Sequence, residues 1–212
     1  MNKDTHCLPG RGRANEPPYA YWMGKTAVPA RTWEPMPGSL ALDASTFLTE
    51  GLAIHAARVA RYARTLAEQL GLSPEACQEV AVAGLFHDIG KVGIPRILLA
   101  RDGPLTDKEF AIMRAHTWMG ARILRKSSAV VVHRAAQVAL LHHEKYDGTG
   151  YPFGISAKHI PLSARIVAVA DVFDALCSER PYKAAWPIEC ALDYLETQQG
   201  RHRRSGPTTR RT

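Results

Sequence analysis

Five of the nine histidines in this 212-residue chain stand where they could do chemistry: His55, His87, His116, His142 and His143. Two of them are doubled with a second ligand-type residue, His87 with Asp88 and His142 with His143. A further carboxylate, Asp171, lies in Ile166-Val167-Ala168-Val169-Ala170-Asp171-Val172-Phe173, apolar on every side. A carboxylate in such a run is expected to be buried, and a buried charge must be paired or bind a metal. A lone histidine on an apolar helix face ordinarily reads as a satisfied core residue, but five histidines with two aspartates form a mixed nitrogen and oxygen set. That set suits Fe, Mn, Zn, Co or Ni rather than Ca or Mg alone. Seven ligands exceed one tetrahedral site, so two ions sharing a bridging carboxylate are expected. Such a pair polarises a phosphoryl group, lowers the pKa of a bridging water and stabilises the leaving oxygen of an in-line displacement. The residues alone imply a dinuclear metallohydrolase acting on phosphate esters.

These residues must be positioned by helices. From residue 41 onward the apolar spacing is helical, and alternating strand-type patterns are essentially absent, so the fold class is all-α. His55, Val59, Tyr62, Leu66 and Leu70 share one stripe, with Arg58, Arg61 and Arg64 placed away from it. Ser73-Pro74-Glu75 is a helix start with a cap, a first-turn proline and an acid at the positive dipole end. The helix it opens puts Ala76, Val80, Ala83 and His87 on one face. Thr106 with Glu109 makes a capping box, and further helical runs are expected over about 117–126, 129–144, 163–178 and 187–198. Adjacent residues on a helix diverge by about 100°, so both members of each pair can reach one pocket only at the inner edge of a bundle. Asp174, one turn beyond Asp171, reads as a helix-surface or supporting group.

Composition sets the outer limits. The chain carries 27 Lys+Arg against 20 Asp+Glu, a net charge of +7 and a sequence pI near 9.4. That balance invites a nucleic-acid or membrane reading, but the excess belongs to the ends. Residues 1–40 carry five basic and three acidic groups, residues 201–212 five arginines and no acid, and residues 41–200 are neutral. No DNA or RNA partner is expected. The first 40 residues hold six of the fourteen prolines and read as an irregular linker or N-terminal remnant, and the arginine-rich end as a disordered tail. The four cysteines show no metal-type spacing, no signal peptide is visible, and no uncharged run approaches the roughly 20 residues that cross a bilayer. The expectation is a cytoplasmic chain with reduced thiols and no membrane partner.

Gly84-Leu85-Phe86-His87-Asp88-Ile89-Gly90-Lys91, together with His142-His143-Glu144-Lys145-Tyr146-Asp147-Gly148-Thr149-Gly150-Tyr151-Pro152, resembles the HD-GYP branch of the HD phosphohydrolase superfamily over roughly 41–200. The resemblance implies an HD-type helical bundle that opens cyclic di-GMP to linear pGpG and, in many members, GMP, using a metal-bridging hydroxide. It implies metal ligation by His55, His87, Asp88, His116, His142, His143 and Asp171, with Asp88 bridging two divalent ions, Fe or Mn first and Zn, Co or Ni as alternatives. It further implies Lys91 beside the scissile phosphate and Tyr151, Arg180 and Lys183 on the substrate side. Regulatory or diguanylate cyclase proteins are the partners it implies, with a homodimer as the assembly.

Some positions depart from the family pattern. Members with three metals carry a glutamate four residues before the first histidine, where this chain has Gly51; Glu50 points about 100° away, so two ions are expected. Thr117 follows His116 where the family usually has proline. His202 fits the pattern and the residues after it do not, as a reading-frame change near codon 203 would produce. The implied bundle then lacks its closing C-terminal helix. Two alternatives stand beside the phosphodiesterase reading: a catalytically impaired module that binds cyclic di-GMP or a protein, and a phosphohydrolase for another nucleotide.

Overall fold

A computed structural model describes residues 50–101, 103–179 and 184–198. The expected linker at 1–40, the basic tail at 201–212, Arg180, Lys183 and His202 lie outside the described residues. Among the described residues there are seven helices and two short 3-10 turns, with no strand. In chain order these are α1 (Glu50–Gln69), α2 (Pro74–Phe86), a turn (Ile89–Gly93), α3 (Arg96–Leu99), α4 (Asp107–Leu124), α5 (Val130–Leu141), a second turn (Ala157–His159), α6 (Leu162–Cys177) and α7 (Ile188–Thr197).

The helix starts follow from local chemistry. Ser73 Oγ accepts from Ala76 N at 3.2 Å ahead of Pro74 in the first turn of α2. At α4, Thr106 Oγ1 accepts from Glu109 N, and the Glu109 carboxylate accepts from Thr106 N at 2.9 Å, so two orphan backbone donors are satisfied reciprocally. The run expected over 117–126 is the second half of this one 18-residue helix, because nothing between Phe110 and His116 breaks it.

Helix α5 lies at the centre, packed on α2, α4 and α6, while α1 packs on α2 and α6. Eight of its twelve residues, from Val131 to Leu141, are apolar and buried, as a helix covered on most sides requires. Each large side chain so buried contributes about 1.5–3 kcal/mol. The buried stripe of α1 is Ala56, Val59, Ala63 and Ala67, all at 2% exposure or less; of the stripe that the sequence pattern favours, only Val59 belongs to it. Leu70 lies beyond the helix end and is 58% exposed. The physical reason is close approach: a Cβ on Gly84 of α2 would sit 3.0 Å from Ala60 Cα, so small residues form the contact ridge. Arg58, expected to point away, shares its face with His55 at i, i+3 and turns toward α6.

Two glycines fix the loops that carry the chemistry. A Cβ on Gly90 would fall 1.8 Å from His116 O and 2.5 Å from Gly120 N, so only glycine lets the turn after α2 dock on α4. A Cβ on Gly150 would fall 2.3 Å from Lys145 N, which folds the loop back on the backbone that carries His143.

Candidate metal centre

The histidine pairs stand at helix ends rather than within helices. His87 caps the C-terminus of α2 and His142 that of α5, so Asp88 and His143 begin the departing turns. The chain can change direction there, and both members of each pair face one centre. At a helix C-terminus the last carbonyls lack intrahelical partners. His87 Nδ1 binds Gly84 O at 2.7 Å and His142 Nδ1 binds Ala139 O at 3.1 Å, each three residues back. On α4, His116 Nδ1 makes the same contact with Met113 O at 2.6 Å. Each of these bonds requires Nδ1 to carry a proton, which turns Nε2 of all three rings inward as the atom that a metal ion would take.

Those nitrogens converge on Asp88, which is 5% exposed. Its Oδ1 lies 3.4 Å from His116 Nε2 and 3.8 Å from His142 Nε2. Its Oδ2 lies 3.3 Å from His87 Nε2 and 3.8 Å from His55 Nε2. Asp171 completes the second side, with Oδ1 3.2 Å from His55 Nε2 and 3.8 Å from His87 Nε2. The ligand-type atoms fall into two groups, Asp88 with His116, His142 and His143, and His55 with His87 and Asp171, each within 4.8 Å of one another. One carboxylate thus faces both groups.

Acceptors facing acceptors need a cation between them. His87 Nε2 and Asp88 Oδ1 are buried and have no hydrogen-bond partner, a costly arrangement shared among the described side chains only by Arg165 Nε. Separations of 3.2–3.8 Å between ligand atoms match those about a common ion bonded at about 2.0–2.2 Å. Burial pushes the His143 imidazole down to about 3, and likewise drives His116 down and His142 well down. These rings are neutral at physiological pH, the form in which imidazole binds metal. The donor set therefore fits a pair of borderline transition-metal ions.

The charged surroundings are ordered as well. Burial opposes the charge of Asp88, but Lys91 and His87 outweigh it and hold the carboxyl well below its usual range; Lys91 Nζ lies 2.5 Å from Oδ2. Asp174 is buried and supports the centre from behind: its Oδ2 lies 2.7 Å from His55 Nδ1, and Arg58 Nε donates to its Oδ1 at 2.5 Å. This orients His55 with Nε2 inward, as carboxylate–histidine pairs do at metal sites. Burial works against the charge on His55, but its bonds to Asp171 and Asp174 win and raise it to about 9.

Tyr151 reaches the same place. Its ring stacks on His143 at 4.7 Å and meets Phe110 edge-on at 5.9 Å. An open groove of about 820 Å³ runs from His142, His143 and Asp171 toward Leu192 and Tyr194 of α7. Of the sequence-derived positions, the structure brings together His55, His87, Asp88, Lys91, His116, His142, His143, Tyr151 and Asp171. Asp147 accepts from Thr149 N and Oγ1 and pins its own loop. Pattern reading passed over Glu144, which is 3% exposed and accepts from Phe153 N at 2.7 Å and Ile155 N at 3.1 Å. A glycine-rich loop whose amides need acceptors was the available signal. It also passed over the Arg58–Asp174 pair; the i, i+3 spacing places Arg58 on the His55 face but does not name its partner.

Comparison with known proteins agrees with this geometry. The sequence profile of the HD domain family matches residues 46–205. The chain is 49% identical over 144 residues to the "Cyclic di-GMP phosphodiesterase response regulator RpfG" of Xanthomonas campestris, covering 68% of this chain and 38% of that one. It is 43% identical over 148 residues to "3'3'-cGAMP-specific phosphodiesterase 2" of Vibrio cholerae, covering 70% of this chain and 28% of that one. The chain thus spans less than half the length of these curated relatives. Among solved structures, the HD domain of the L. monocytogenes phosphodiesterase PgpH in complex with cyclic-di-AMP superposes with a TM-score of 0.57 at 20% identity, over 79% of this chain and 87% of that one. That likeness establishes the fold.

Proposed function

The chain belongs to the HD domain family, and on that premise we propose that it is a metal-dependent phosphodiesterase that opens cyclic di-GMP to pGpG. The observation that carries the reading is Asp88, one buried carboxylate with its two oxygens turned to two separate groups of imidazoles. His116, His142 and His143 with Asp88 would hold one divalent ion, and His55, His87 and Asp171 with Asp88 the other. Fe or Mn is the first expectation for both. When bound, such a pair supplies Lewis acidity toward a phosphoryl oxygen and a water nucleophile active near neutral pH.

The residues of the chain do the remaining work. Asp174 and Arg58 keep the His55 ring oriented, and the backbone carbonyls at Gly84, Met113 and Ala139 do the same for His87, His116 and His142. Lys91, beside Asp88, would neutralise charge that develops on the phosphate oxygens. Tyr151 would wall the substrate side through its stack on His143, and Arg180 and Lys183 would grip phosphate or guanine.

The relatives named for cyclic di-GMP support this substrate. The relative named for 3'3'-cGAMP favours a second reading, in which another cyclic dinucleotide is preferred. The test is hydrolysis of cyclic di-GMP, 3'3'-cGAMP and cyclic di-AMP by the metal-reconstituted full chain, with products resolved by chromatography. Wild type is expected to release pGpG first, and Asp88→Asn to be at least about a thousandfold slower through loss of the ion pair. Equal inertness of the two proteins on all three substrates overturns the reading.

A further inference from the structure

Arg114 projects from α4 two residues before His116 and is exposed. Its guanidinium lies 4.4 Å from the centre of the Phe110 ring and 5.1 Å from that of Tyr151. Those rings meet edge to face at 5.9 Å, and Tyr151 stacks on His143 at 4.7 Å. A continuous chain of contacts therefore runs from one donor group of the metal centre to a cation on its rim. Among the described residues Arg114 has no carboxylate partner, unlike Arg58, Arg64, Arg101 and Arg134. Cation–aromatic contacts hold a guanidinium in place without using up its hydrogen-bond donors. Its fork stays available.

We propose that Arg114 is a substrate-binding residue that takes the phosphodiester of a cyclic dinucleotide not engaged by the metal centre. The inference rests on the cyclic-dinucleotide reading above. Such a substrate carries two phosphodiesters, and a centre organised around Asp88 attacks one at a time. The other brings a full negative charge to the rim of the site. Lys91 sits beside Asp88 at the attacked phosphate, whereas Arg114 stands on the rim and offers a planar fork that matches two phosphate oxygens. Being held over two rings beforehand, it loses little side-chain entropy on binding.

The test compares Arg114→Ala and Arg114→Lys with wild type, all as metal-loaded full-length chains. Hydrolysis of cyclic di-GMP is set against that of bis(p-nitrophenyl) phosphate, which has a single phosphodiester. For Arg114→Ala the ratio of the two kcat/KM values is expected to fall about 10- to 100-fold, mainly through KM for cyclic di-GMP, with partial recovery in Arg114→Lys. A parallel loss on both substrates overturns the proposal, since Arg114 would then act through Tyr151 on the metal centre. An unchanged ratio overturns it equally. Calorimetric titration with a hydrolysis-resistant phosphorothioate analogue of cyclic di-GMP separates this inference from the functional one. If wild type binds the analogue but hydrolyses nothing, the phosphodiesterase reading fails, and a Kd about tenfold or more weaker in Arg114→Ala still supports the arginine's role. Equal Kd values sink that role whatever the activity.

Discussion

A carboxylate 5% exposed and surrounded by four imidazole nitrogens at 3.3–3.8 Å gains little from His116 and His142, which burial keeps neutral, and more from His55 and His87, whose acidic neighbours favour the charged ring. In the metal-free chain the charge of Asp88 is answered chiefly by Lys91 and His87. Asp174 is the complementary case. Burial works against its charge, but His55 and Arg58 hold its carboxyl well below the ordinary range. Asp174→Asn keeps the shape and removes the charge that orients His55. It is expected to weaken metal binding about 10- to 100-fold, read by competition with a chromophoric chelator, with activity regained at saturating metal. Unchanged affinity would show that His55 is oriented by packing alone. At this scale the sequence was informative where identity alone carries chemistry, as in His87-Asp88 and His142-His143. It was silent where a role depends on a partner far along the chain. Nothing local to Arg58 points to Asp174, 116 residues away, and nothing local to Arg114 points to Tyr151.

Elements set the precision of the centre through two contacts. The turn Ile89–Gly93 can bring Asp88 and Lys91 to His116 only because Gly90 rests on the α4 backbone. Gly90→Ala places a methyl carbon 1.8 Å from His116 O, and neither side is a flexible side chain. A loss of about 3 kcal/mol in urea unfolding is expected, with metal affinity falling alongside it. The N-terminus of α4 offers a gentler probe. Thr106→Ala removes the capping acceptor and is expected to cost about 1 kcal/mol. Its partner Glu109 has a carboxyl held below the ordinary value, chiefly by the Thr106 hydroxyl and backbone amide. The folded-state pKa is therefore below the unfolded one, so this cap stabilises the protein above the unfolded value near 4.5 and is lost as pH falls through the folded value. In Thr106→Ala that part of the acid-induced loss should shrink, as urea midpoints measured between neutral and acid pH would register. Both capping signals were legible in the sequence because they are local. The buried stripe of α1 was not, because pattern reading weights large apolar residues, whereas Ala56, Ala63 and Ala67 are buried by the nearness of α2. The ends of α2 and α5 escaped for a related reason: periodicity persists through His87 and His142 even though the helices stop there.

Across the whole molecule the centre draws ligands from α1, the end of α2 and its turn, α4, the end of α5 and α6, spanning residues 55 to 171. Ions that bind this assembly and not the unfolded chain stabilise it by about 2.7 kcal/mol per site at a hundredfold excess over Kd. Thermal melts of metal-loaded chain with and without a chelator should therefore differ by several degrees, and Asp88→Asn should largely abolish the difference. Unchanged melting on chelation would mean that the clusters do not hold metal. The all-α class and the set of ligand-type residues could be read from spacing and residue type, and the role of Asp88 from the family resemblance, whereas the division of the set into two groups required the fold. The charge that dominates the composition lies at the chain ends, outside the described residues. A single carboxylate common to two donor groups would also make the binding of two ions interdependent. Whatever the first ion does to Asp88, by drawing its charge or displacing Lys91, alters the second ion's affinity, and thermodynamic reciprocity requires the same factor in the opposite order of addition. Metal titrations should accordingly deviate from the sum of two independent isotherms, and the abundance of half-loaded protein should follow that coupling rather than either affinity alone.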